Sequence, residues 1–77
     1  MTHTPHELAE EFPEHRERLH ALKMESAHFR HLAEGYHLVN REIHRAEAGS
    51  ESLSDEHLEE LKKKRLQLKD QIAALLR

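Results

Sequence analysis

The 77-residue chain is 36% apolar and 35% charged, which leaves room for one domain and only a modest core. Its formal net charge is −3 with acids and bases closely interleaved, a pattern that argues against a phosphate-binding surface. Cysteine is absent, which excludes disulfides, thiolate zinc sites and thiol chemistry, and no window reaches the roughly 18 apolar residues of a membrane span.

The opening, MTHTPHELAEEF, lacks the basic and apolar regions of a signal peptide, so a cytoplasmic location is expected. Thr4, Pro5 and Glu7 fit an N-cap, a first-turn proline and a capping-box acid, and predict a short helix over about 5–11. Phe12 precedes Pro13, whose ring pushes it out of the helical region. A break is expected there, with a restart at Pro13.

From 13 to about 48 the pattern predicts one long helix. Leu22, Phe29, Tyr36 and Ile43 recur every seven residues, and Leu32, Val39 and Ala46 follow three residues after the last three. Glu25 occupies the position in this seam where an apolar residue belongs. Such a repeat implies a coiled-coil-like seam. The glycine of AGSESLS suits a left-handed helix end, giving a loop over 49–54. A second helix over about 55–76 is announced by Ser54, by Asp55 and Glu56, and by the staple pair Leu53 and Leu58. Leu61, Leu68, Ile72 and Leu75 continue its apolar stripe, and Arg65 interrupts it.

A short link between two amphipathic helices predicts an antiparallel hairpin. The expected fold is therefore all-α: a single domain, 1–77, in which a short helix precedes a two-helix hairpin. At 1.5 Å per residue the long helix would run about 50 Å and its partner about 33 Å. Leu19 and Leu22 would project beyond the hairpin. Either the N-terminal segment folds back over them with Leu8 and Phe12, or another chain covers them.

The runs LKMESAHFRHLAEGYHLVNREIHRAE and LSDEHLEELKKKRLQLKDQIAALL carry a wider pattern. Its pieces are EFPE at 11–14, His28-Phe29, Ile43-His44-Arg45-Ala46-Glu47, Ser54-Asp55-Glu56 and Leu61-Lys62 through Leu68-Lys69-Asp70. In this order and spacing the chain resembles the YdcH-like family of small bacterial proteins over residues 6 to 77. The resemblance implies a helical hairpin and a bacterial cytoplasmic origin. The family is a domain of unknown function and supplies no catalytic residues.

The nine histidines invite a metal reading. Successive helical residues advance about 100°, so His28 and His31 lie about 60° apart, whereas His37 falls about 180° from His28. Of these three only His28 and His31 share a flank, His37 and His44 share a face but lie about 10 Å apart, and zinc needs three or four ligands. No metal site and no cofactor is predicted, and these two residues are the candidates should one exist. His28 borders the seam, which makes it, with His15 and His57, a candidate for coupling protonation to association. Gly35 lies one heptad from His28. It marks either close approach of a neighbouring helix or a tolerated surface position.

No Gly-rich phosphate loop and no serine beside a histidine and an acid on a rigid turn is present, so catalysis is not expected. The leading expectation is a self-associating interaction module, a homo-oligomer able to bind another protein. Its interface would comprise Leu22, Phe29, Leu32, Tyr36, Val39, Ile43, Leu61, Leu68, Ile72 and Leu75. Two alternatives remain: metal or proton response through His28 and His31, and binding of nucleic acid or an anionic surface through Lys62, Lys63, Lys64 and Arg65. Against the second, Glu59 and Glu60 precede Lys63 and Lys64 by four residues, the favourable order for helical ion pairs.

Overall fold

Ser26 divides the region that the heptad pattern joins. The computed structural model describes residues 6–49 and 52–77, and places four helices there: α1 (Leu8–Glu11), α2 (Arg16–Glu25), α3 (Ala27–Glu47) and α4 (Asp55–Leu76). Among the described residues there is no strand. The chain is all-α.

The single long helix expected over 13–48 is thus two helices. Ser26 has extended backbone angles (φ −124°, ψ 114°), and its Oγ accepts the Phe29 amide at 3.0 Å as the N-cap of α3. The Arg30 guanidinium donates to the Lys23 carbonyl at 2.7 Å, serving one of the carbonyls at the end of α2. Both helix ends at the joint are therefore supplied with partners. The gap in the seam at Glu25 marks this joint: no apolar residue stood there to hold a straight helix against α4.

The bend brings Leu19 and Leu22, each 8% exposed, into one cluster with Phe29, Leu32, Ala33, Tyr36, Ile72 and Leu76. Leu8 and Phe12 pack against the same cluster, so the N-terminal segment folds back to cover what would otherwise project. A second cluster, Val39, Ile43 and Leu61, continues towards the loop, flanked by Leu53 and Leu58.

Helices α3 and α4 run antiparallel, with cross-pairs Glu47–Lys62, Asn40–Arg65 and Gly35–Leu68 descending in order from the loop. Gly49 closes α3 with φ +83°, the left-handed conformation that favours glycine. Ser54 caps α4 by accepting the His57 amide at 3.1 Å. Leu75, expected to be buried, is partly so, and its neighbour Leu76 takes the deeper place four residues beyond Ile72.

The entry to α1 also differs from expectation. The helix begins at Leu8, and Glu7 stands at its N-cap with extended backbone and no side-chain cap bond. Glu7 is therefore no capping-box acid; its carboxylate is engaged by His37 on α3. Thr4 and Pro5 lie outside the described residues, as do Ser50 and Glu51. The break at Phe12 is as read, with φ −129° and ψ 62°, and a 3-10 turn follows over Pro13–His15.

Candidate functional site

The apolar residues assigned to an interface turn out to be the chain's own core. Leu22, Phe29, Leu32, Tyr36, Val39, Ile43, Leu61 and Ile72 are each at most 9% exposed within one chain. Surface already removed from water by the same chain cannot be buried again by a partner, so these eight retain little area for an intermolecular contact, although Leu32 and Val39 line a groove on the surface. Leu68 and Leu75 alone among the ten keep partial exposure. The bend at Ser26 is the physical reason, because it turns α2 inwards to fill a seam left for another chain.

Polar groups latch the N-terminal arm onto the hairpin. The Tyr36 hydroxyl, on a side chain 1% exposed, donates to the His6 carbonyl at 2.5 Å. His6 itself adopts the left-handed φ of +63°. His37 Nδ1 lies 3.2 Å from the Glu7 carboxylate, and His6 Nδ1 lies 3.1 Å from that of Glu11. The Lys69 ammonium reaches Glu11 at 3.7 Å and sits 5.9 Å from the centre of the Phe12 ring. Burial pushes the Tyr36 hydroxyl up to about 12, reinforced by the negative charge of Glu11 and opposed by Arg65. This phenol is held as a neutral donor and serves structure.

Asn40 is the residue that sequence reasoning missed. It is 1% exposed and accepts from the Arg65 guanidinium at 3.0 Å across α3 and α4. The interruption of the α4 stripe by Arg65 was the available signal. A charged residue on an apolar stripe needs a polar partner opposite, and Asn40 supplies one. One buried polar pair in an apolar seam also fixes the register between helices.

The histidines do not converge. His28 and His31 are both exposed, and among the described residues no group of three or more histidine, aspartate or glutamate side chains is placed to hold a metal ion. His28 is not packed into the chain's core, and its expected place at the edge of the seam is solvent-facing. The basic run 62–65 is likewise divided. Lys62 pairs with Glu47 at 3.4 Å, Arg65 turns into the seam, and Lys63 and Lys64 are exposed. Consecutive helical residues point about 100° apart, so the four present no single cationic face.

What remains is a surface. The arm covers one side of the hairpin, and a separate groove of about 480 Å³ is lined, among the described residues, by α3 and α4 alone. Gly35 lies on its floor, where Leu68 methyl carbons stand 3.7 and 3.8 Å from the place a Cβ would take. These are ordinary contacts, so Leu68 does approach, yet the chain's own packing does not require a glycine. Leu38 stands on the rim at 59% exposure.

A family whose description reads "Protein of unknown function (DUF465)" matches residues 29–76, which is α3, the loop and α4 without the folded-back arm. No curated protein and no solved structure matches the chain. Among the described residues, no helix is long and apolar enough to cross a membrane.

Proposed function

The chain belongs to the DUF465 family, which includes the YdcH-like proteins it resembles, and from that premise we propose that it is a self-associating helical interaction module. The observation that carries this reading is the uncovered side of the hairpin. One side is sealed by α1 and α2, whereas among the described residues the groove between α3 and α4 is bordered by no other element. A two-helix layer needs a second layer on each apolar side, and the described residues supply one.

The titratable groups support a binding role over a catalytic one. Glu7, Glu11, Glu47, Lys62, Lys69 and Arg65 are committed to contacts that hold the arm and the seam together. The Tyr36 hydroxyl is spent on a backbone carbonyl. Association through a surface uses none of these groups and leaves the fold intact.

Sedimentation equilibrium of the full chain across a concentration series tests the reading. Reversible, concentration-dependent mass above that of one 9.1 kDa chain is expected. A single-chain mass throughout defeats self-association.

A further inference from the structure

We infer that the partner seated on the α3–α4 groove is a second copy of this chain, related by a two-fold axis that passes close to Gly35. The inference rests on the self-association reading above and assigns it a surface. In a two-fold contact the same patch meets itself, so it must be self-complementary in shape and charge. The groove satisfies both conditions.

Shape comes from Gly35 and Leu38. A glycine inside a 21-residue helix costs about 1 kcal/mol relative to alanine, and nothing within the chain requires it. A missing Cβ lets a second helix cross closely at that point. Leu38, three residues on, is the exposed side chain that would enter the neighbouring groove over Leu68 of the other copy.

Charge comes from Glu34 and Lys64. They line opposite sides of the groove, Glu34 on α3 and Lys64 on α4. Neither forms an ion pair within the chain among the described residues. A two-fold axis lying in the contact plane, oblique to the helices and passing midway between Glu34 and Lys64, sets Glu34 of each copy against Lys64 of the other, giving two equivalent pairs from one juxtaposition. His31 sits on the rim beside Glu34 and adds a group able to carry positive charge.

The area available is sufficient for a specific contact. The open side is about 31 Å long, the length of α3, and roughly 20 Å wide across two helices. That footprint gives roughly 600 Å² per copy and about 1,200 Å² in all, the lower edge of specific interfaces. It is also roughly a tenth of the 5708 Å² accessible to one chain. A contact of this size is that of a weak, reversible dimer.

The test is sedimentation equilibrium of the wild-type chain beside Leu38→Glu, Gly35→Ala, Glu34→Lys, Lys64→Glu and the double exchange, with helicity checked by circular dichroism. All four substituted positions lack a buried side chain, so the folded monomer persists in the five variants. Wild type is expected to dimerise, and Leu38→Glu to weaken the dimer at least about tenfold. Gly35→Ala should weaken it while raising thermal stability of the dilute monomer. Each single charge reversal should weaken it several-fold and the double exchange should restore it. A wild type that dimerises while Leu38→Glu and Gly35→Ala leave the constant unchanged overturns this surface and leaves self-association standing. Failure of the double exchange to restore binding overturns the two-fold arrangement. A wild type that stays monomeric, even one that binds a different protein, overturns both the surface and self-association.

Discussion

Replacing Ser26 by alanine probes whether the bend comes from the cap or from the core behind it. The substitution removes the Oγ that accepts the Phe29 amide at 3.0 Å, a loss of about 1 kcal/mol for a helix N-cap. It also installs a better helix former at the joint, worth about 0.5 kcal/mol towards fusing α2 and α3. Opposing both is the burial of Leu19 and Leu22, each 8% exposed. At about 1.5–3 kcal/mol per side chain, straightening the joint would forfeit roughly 3–6 kcal/mol. The core wins, so Ser26→Ala should stay bent and lose about 1 kcal/mol, a fall in Tm of about 4–8 °C for a domain of this size.

Small-angle scattering separates the two shapes. The bent chain has a radius of gyration of 13.1 Å and a longest dimension of 37 Å. A fused helix over 16–47 would alone measure about 48 Å. Adding Leu22→Ala removes about 2–5 kcal/mol of the opposing term and should lengthen the particle where the single substitution does not. An elongated particle for Ser26→Ala alone, or a gain in stability, would refute the account.

Four further outcomes follow from named residues. Asn40→Ala removes the acceptor for Arg65 at 3.0 Å and should cost about 1.5–3 kcal/mol, read by urea denaturation; a neutral result would show that the pair does not hold the seam. Gly49→Ala forces a Cβ into φ +83° and should cost about 1–2 kcal/mol by thermal melting. The chain has one tyrosine, so ultraviolet titration reports Tyr36 alone; ionisation is expected near pH 12 while the fold persists, against an ordinary value of 10.0. The folded chain holds this proton more tightly than the unfolded chain, so the associated stability is full below pH 10 and is lost as pH rises towards 12. Tyr36→Phe should abolish that alkaline dependence and cost about 0.5–1.5 kcal/mol at neutral pH through the lost bond to the His6 carbonyl.

The elements themselves were legible because their signals are local. Pro13 fixes the break at Phe12 by steric clash, Gly49 ends α3 by adopting positive φ, and Ser54 starts α4 by capping His57. The seven-residue spacing of Phe29, Tyr36 and Ile43 identified the buried face of α3, since each is 1% exposed. The same spacing could not say what covers that face. Periodicity reports that a side chain leaves water, and it is silent on whether the covering atoms belong to the same chain.

Three features depended on contacts between residues far apart in sequence. The bend at Ser26 rests on Leu19 and Leu22 finding the far end of α4. The late start of α1 reflects Glu7 and His6 being claimed by His37 and Tyr36, thirty residues away. The burial of Asn40 required Arg65 opposite. Local sequence thus determined where helices begin, end and turn their apolar faces. The tertiary structure decided that those faces meet within one chain, because burying Leu19 and Leu22 there outweighs the continuity of a longer helix.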